Sequence, residues 1–306
     1  MVLLRCPCPD LHAALAFYTE ELGFQLDSIS PADDPAVAML SGHGLQLRLE
    51  RDPVPAPRAS ADGAWVQGRA GMQYRDLIPD RLGGRFIASH IRIPEGGPVP
   101  DYVHFHEIRF QMIYCHRGWV RVVYEDQGPP FVLAPGDCVL QPPRIRHRVL
   151  EAAAGTEVIE VSSPAEHVTH LEHTMELPTA TARPDRVFGG QRFVRHEAAS
   201  AEWRAGRRAG FEARDTGIGE ATGGMAEVRV LRPRAGTPPE AWRHDGELLL
   251  FFMLRGAGTL RADGRDASRL AEGDLRVVPA ALEHTWAACD PEMELLEVAL
   301  PRPISA

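Results

Sequence analysis

The spacing of hydrophobic and polar positions changes along the chain, and the changes mark its elements. After Asp10, apolar residues recur at Leu11, Leu15, Tyr18 and Leu22, the spacing of one helix face. Asp10 is placed to cap the first turn and Gly23 to end the helix. From Phe24-Gln-Leu26 the period falls to two, and Val37 to Leu40 and Leu45 to Leu49 alternate as two further strands joined through Gly42-His-Gly44. Residues 1–51 therefore predict a small unit of order strand, helix, three strands. Residues 52–64 (DPVPAPRASADGA) predict a linker. From 65 to 178 the text is strand-like with Gly/Pro punctuation, and the Thr/Ala/Pro stretch at 178–185 opens a third unit, 179–306. The second and third units share a layout: a strand ending in Ile-Pro or Arg-Pro, a Gly/Pro-rich turn, a His-bearing segment, a hairpin, Gly-Asp, a strand, Pro and His. The expectation is a mainly β fold with two small antiparallel barrels from an internal repeat.

Composition narrows the chemistry. The 306 residues carry 33 basic and 42 acidic side chains, net −9, which argues against nucleic acid or an anionic membrane as partner. Every basic residue is Arg, and neither Lys nor Asn occurs, so Schiff-base lysine chemistry, a phosphate-loop lysine and N-glycosylation are excluded. Five cysteines without a CxxC pair do not suggest a disulfide framework. The longest apolar run, Leu248 to Leu254, is far short of the ~20 residues of a membrane span. Met1-Val-Leu-Leu is cut short by Arg5, Pro7, Pro9 and Asp10, unlike a signal peptide, so a cytoplasmic location is expected.

The strongest chemical signal lies at 97–118: Gly97, then His104-Phe-His106, Gln111 and Gly118. It is followed by Gly136-Asp137 and Pro142-Pro-Arg-Ile-Arg-His147. Residues two apart on a strand share a face, so His104 and His106 point inward together. With a third imidazole from a distant strand they can converge on one divalent metal.

These residues resemble the two motifs of the cupin superfamily. The resemblance implies a double-stranded β-helix (jelly-roll) barrel and a metal held by His104, His106, Gln111 and His147. Gln111 stands where glutamate is usual, Arg144 where glycine is usual and Glu151 where asparagine is usual. The amide oxygen of Gln111 remains an acceptor, and the site becomes one negative charge poorer, which favours an anionic substrate. The third unit keeps His244 and His284 but has Trp242 and Leu249 at the other two positions, so it is expected to be a degenerate barrel, with Glu247 the one residue able to rescue a weak second site. The string FYTEELGFQL at 17–26 resembles the half-module of the glyoxalase/vicinal oxygen chelate superfamily. Glu50 stands where that superfamily places a metal glutamate, but the first strand lacks its histidine, so a structural or interface role is expected. Cys6-Pro-Cys8 is expected to pack in a turn.

Around the metal, Tyr102, Tyr114 and Gln141 are the catalytic candidates, with Arg109, Cys115 and Arg117 nearby. Arg146 and Arg148 should point out of the barrel by alternation with Ile145, His147 and Val149, and His116, His167, His170 and His173 should be loop or surface residues. The first functional expectation is a bicupin dioxygenase using one divalent transition metal (Fe(II) favoured over Mn, Ni, Cu or Zn) on a small enol, phenol or aromatic carboxylate. The alternatives are a non-oxidative cupin isomerase, lyase or ring-opening enzyme acting on a sugar acid, and a small-molecule sensor. Residues 1–51 are expected to stabilise the protein and to pair with their counterpart in a homodimer.

Overall fold

The computed structural model describes residues 2–52, 64–68, 71–236 and 239–300. The expected linker, from 53 to 63, and Thr237-Pro238 of the Gly/Pro turn lie outside the described residues. No helix among the described residues is long and apolar enough to cross a membrane. The chain forms two compact units, residues 1–135 with 140–189, and residues 136–139 with 190–306.

The first unit begins as the sequence predicts. Strand β1 (Val2–Cys8) leads to helix α1 (Leu11–Ala16), which runs on as a π-helical turn over Phe17–Glu21. Asp10 Oδ1 accepts the Ala13 N–H at 3.0 Å, and Gly23 follows the helix at φ +69°. Strands β2 (Gln25–Ser30), β3 (Val37–Gly42) and β4 (Leu45–Arg51) then pair in succession, and β1 returns parallel to β4. Leu11 closes over Ile29, Ala38, Leu40, Leu47 and Leu49. The edge at β2 is taken by β16 (Thr169–Leu171) of the same chain, through Ile29↔Thr169 and Ser28↔His170, while β1 stands at the end of the sheet. Pairing within the chain thus satisfies the backbone groups of the β2 edge.

The first barrel follows. Its strands are β5 (Val66–Gln67), β6 (Gln73–Asp76), β7 (Ile87–Ile93), β8 (Gly97–Pro98), β9 (His104–His106), β10 (Phe110–Arg117), β11 (Val120–Tyr124), β12 (Phe131–Leu133), β13 (Cys138–Leu140), β14 (His147–Ala152), β15 (Thr156–Ser163) and β16. One sheet runs β1-β4-β3-β2-β16-β9-β14-β11-β12; the facing one contains β10-β15-β7-β6-β5. Strand alternation sets the interior. Ile87, Ser89, Ile91 and Ile93 of β7, Gln111 and Ile113 of β10, Val120, Val122 and Tyr124 of β11, and Val158 and Glu160 of β15 all face one cavity. Gly118 turns β10 into β11 at φ +70°, and a Cβ there would stand 2.8 Å from Thr156 Cα.

The unit continues past the expected break at 178, to 189. Arg183 and Arg186 return to Asp126, and Arg186 also to Glu125, each at 2.6 Å. Burial would raise the Asp126 carboxyl, but the hydrogen bonds from Arg186 and Arg183 hold it below its usual range.

In the second unit, strands Phe211–Asp215, Glu227–Pro233, Glu294–Leu300, Leu248–Arg255 and Leu275–Val277 form one sheet, and Ser268–Ala271, Ala257–Ala262 and His284–Cys289 another. The apolar run Leu248 to Leu254 is buried along its whole length. Phe251, Met253, Leu260, Leu270, Trp286, Met293 and Leu295 fill the interior.

Candidate metal centre

His104 and His106 lie on β9, and His147 begins β14, directly opposite His104 in the antiparallel register. One ring nitrogen from each of the three lies within 4.8 Å of the others, the one such cluster of histidine, cysteine and carboxylate side chains among the described residues. The other nitrogens decide which atoms face inward. His104 Nδ1–H donates to the Tyr102 carbonyl (2.8 Å) and His147 Nδ1–H to the Ile145 carbonyl (3.1 Å). A carbonyl can only accept, so both rings direct an Nε2 lone pair to the centre. His106 Nδ1 bonds Thr169 Oγ1 at 2.9 Å, consistent with the same tautomer. Ligating histidines are ordinarily fixed in this way by a second hydrogen bond. Burial, and then neighbouring His104, push the His147 pKa well below its usual value, which keeps the ring neutral and able to ligate.

Gln111 sits on β10 with 2% of its surface exposed. Its Nε2 donates to Glu160 Oε1 at 3.0 Å, while its Oε1 is buried with no partner. The Glu160 carboxylate thus fixes the amide orientation. An orphaned carbonyl oxygen beside three imidazole lone pairs fits a divalent cation with mixed nitrogen and oxygen ligands. The negative charge that glutamate would have brought to the centre stands one residue further out, on Glu160. Ser162 Oγ also donates to Glu160 Oε1, at 3.0 Å.

The centre opens on a cavity of about 210 Å³, whose apolar wall includes Ile87, Ile91, Ile113, Val120, Val122 and Leu133. Its polar lining includes Gln141, Tyr124, His167, Thr169, Ser89, Asp101 and, from the N-terminal module, Asp33. Among the described residues no arginine lines it. Gln141 Nε2 donates to His147 Nε2 at 2.8 Å, on the same lone pair that would ligate a metal, so this amide has to turn aside for His147 to hold one. Burial, and then the Glu160 carboxylate, drive the Tyr124 phenol upward, so it stays protonated.

Three-dimensional comparison places this architecture. No protein-family model matches the chain, and no curated protein matches its sequence. Solved structures do match in fold. Bacillus subtilis oxalate decarboxylase OxdC at pH 4.6 aligns with a TM-score of 0.55 and 13% identity, covering 78% of this chain and 74% of that one. Lactobacillus farciminis oxalate decarboxylase in complex with formate aligns at 0.56 and 13%, covering 80% and 85%. The fold is that of a bicupin. At this identity the likeness carries architecture and leaves the activity to be argued from the site.

Within the bicupin, several expectations change. Tyr102 is 60% exposed and contributes only its carbonyl, to His104. Tyr114 is buried but does not line the cavity, because its neighbour Ile113 takes the inward face of β10. Gln141 does line it. Arg109, Cys115 and Arg117 are absent from its wall, and Arg146 and Arg148 are too, as alternation predicts. Arg146 stacks over Phe105 at 4.4 Å. Arg144 adopts φ +64° at the position usually held by glycine, so the left-handed turn is kept at a steric cost. Glu50 pairs with Arg48, away from the cavity, and Cys8 Sγ contacts the Glu50 carbonyl.

His167 lies on a loop, as expected, but it is 6% exposed and lines the cavity, which the motif reading missed. Glu160, Tyr124 and Asp33 also escaped the motif reading. Glu160 carried a signal, a lone carboxylate at an inward position of the apolar strand Val158-Ile-Glu-Val161; Asp33 carried none, being distant in sequence from the barrel.

In the second barrel, Trp242 and His284 face each other across the same antiparallel register, with ring centroids 4.2 Å apart. His244 Nε2 donates to the Val278 carbonyl at 2.9 Å, and His244, Glu247 and His284 do not form a ligand cluster.

Proposed function

We propose that the first barrel is the active site of a mononuclear divalent-metal enzyme acting on a small oxygen-bearing molecule of enol, phenol or hydroxy-ketone type. The observation that carries this is the convergence of three imidazoles in a cavity that the unpartnered amide of Gln111 also lines. His104, His106, His147 and Gln111 would hold the metal. All four are neutral, so a divalent ion bound there keeps its full charge and supplies Lewis acidity toward a substrate oxygen. The apolar wall expels water and strengthens that electrostatic effect. Asp33 is paired with Arg81 at 2.6 Å, while Asp101 and Glu160 add two further carboxylates to the lining, which weight the site toward a substrate that enters uncharged. The Ile145 carbonyl orients His147 through Nδ1, and Gln141 presents its amide to the same space. Non-oxidative proton-transfer or lyase chemistry follows most directly from this neutral ligand set. Decarboxylation, the activity named for the two fold neighbours, belongs to that class.

The cavity wall favours dioxygenase chemistry as a second reading, since an apolar cavity admits an apolar gas. The test is metal analysis of purified protein, followed by turnover of a panel of enols, phenols and oxalate with and without oxygen. Metal-dependent anaerobic turnover supports the first reading. Turnover with stoichiometric oxygen uptake replaces it with the second, and turnover indifferent to metal removal sinks both.

A further inference from the structure

His167 belongs to no metal-binding motif and is not part of the three-histidine cluster, yet its chemistry points into the same cavity. Its Nδ1–H donates to the Pro164 carbonyl at 3.2 Å. That bond fixes the tautomer, so Nε2 carries a lone pair, and this atom is buried without a hydrogen-bond partner. The ring stands edge-on to His106, centroids 5.3 Å apart, and lines the cavity together with Thr169. A buried acceptor left unmatched beside an otherwise apolar wall is costly unless something supplies a donor.

We propose that His167 Nε2 is the substrate-binding acceptor of the first barrel, taking a hydrogen bond from an O–H of a ligand whose other oxygen reaches the three-histidine centre. This inference rests on the metal-enzyme reading and narrows its substrate class to molecules with two neighbouring oxygens, at least one of them a hydroxyl. Catechols and α-hydroxy-ketones have that pattern. Ligands without a proton donor would leave His167 unmatched. The residue selects the ligand rather than holding the metal, because its Nε2 stands outside the cluster that the other three rings form.

The experiment uses full-length protein loaded with Co(II), whose visible spectrum reports ligand binding. Catechol and azide serve as probes; azide reaches the metal but carries no hydrogen to donate. His167→Leu and His167→Gln are compared with the native chain, with cobalt content measured for each. Leucine and glutamine are of similar size, and only glutamine retains an acceptor. We expect His167→Leu to weaken catechol about tenfold or more, azide to change less than about twofold, and His167→Gln to recover most of the catechol affinity. Unchanged catechol affinity in a cobalt-loaded His167→Leu protein overturns the assignment and leaves the metal centre standing. Loss of cobalt in both variants also overturns it, by making the imidazole part of the metal shell. A native chain that takes up no cobalt fails the metal-enzyme reading itself, an outcome visible before any probe is added.

Discussion

Where the first barrel carries His104, His106, Gln111 and His147, the second carries Trp242, His244, Leu249 and His284. The registers make the positions comparable. His104 faces His147 as Trp242 faces His284, and Ile113 faces Glu160 as Phe251 faces Glu297. Each barrel thus keeps one carboxylate on the strand behind its centre, half-buried at Glu160 and buried at Glu297, and satisfies it differently. Glu160 accepts the Gln111 amide and the Ser162 hydroxyl. Glu297 is paired by Arg208, and Arg229 Nη1 stands 3.7 Å from its other oxygen. The Arg208 guanidinium lies 3.2 Å from the centre of the Trp242 ring and 4.9 Å from that of Phe251. Where the first barrel gathers three imidazoles, the second sets a guanidinium of the chain itself. Burial pushes the Arg208 pKa down to about 10, still far enough above neutrality to keep the charge.

The comparison breaks most sharply on metal content. His104→Ala or His147→Ala should leave the protein essentially metal-free, each removing one of three nitrogen ligands, whereas His244→Ala should retain one equivalent. Elemental analysis of the three purified variants decides it. Two equivalents in the native chain, or loss on His244→Ala, would place a working site in the second barrel.

The next effect is on stability. Arg208→Met strands Glu297 at 5% exposure with only the more distant Arg229 beside it, and should cost about 3 kcal/mol. A double variant, Arg208→Met with Glu297→Leu, should recover much of that, since an apolar pair needs no charge partner. Urea unfolding of both proteins measures it. A single variant as stable as the native chain means the guanidinium is not the counter-ion of Glu297.

In the first barrel the corresponding change is Gln111→Glu. It sets a second carboxylate 3.0 Å from Glu160 in place of a donating amide, so the metal-free protein should lose about 1–2 kcal/mol. Added metal should offset the loss. The exchange Gln111→Glu with Glu160→Gln restores one donor and one acceptor and should melt close to the native chain in chelator. If the exchange is no better than the single variant, Glu160 does not orient Gln111.

What was legible in the chain follows from where the chemistry is local. Asp10, the spacing of Leu11 to Leu22 and the glycine turns specify the N-terminal unit because caps and turns act over a few residues. His104, His106, Gln111 and His147 could be read because a barrel forces fixed intervals between residues that share a face. Glu160, Tyr124 and His167 reach the same cavity from separate strands and a loop, and only the pairing of β10 with β15 and of β9 with β16 brings them there. The return of Arg183 and Arg186 to Glu125 and Asp126, some sixty residues earlier, could not be read for a similar reason. Closure of the β2 edge by β16 was equally invisible, since nothing in residues 1–51 indicates which strand will cover it.

The smallest expected difference concerns acid. His284 is 1% exposed, donates Nδ1–H to the Leu282 carbonyl, and has no partner at Nε2. Burial, with smaller contributions from Arg208 and His244, lowers its pKa to about 4. The unfolded chain holds this ring near the ordinary ~6.5, so it takes up the proton first as pH falls. The stability supplied by the neutral ring is complete above about pH 6.5 and is lost progressively down to about pH 4. Metal-free native protein should therefore weaken over that window, with His147 acting in the same direction from the first barrel. His284→Gln should make the dependence shallower by at most one proton, or ~1.4 kcal/mol per pH unit. Urea unfolding at intervals between pH 7 and pH 4.5 reads the slope directly. An unchanged slope in His284→Gln would show that the second barrel already accommodates a protonated His284 beside Arg208. A permanent guanidinium at the centre of an apolar barrel makes that second charge costly.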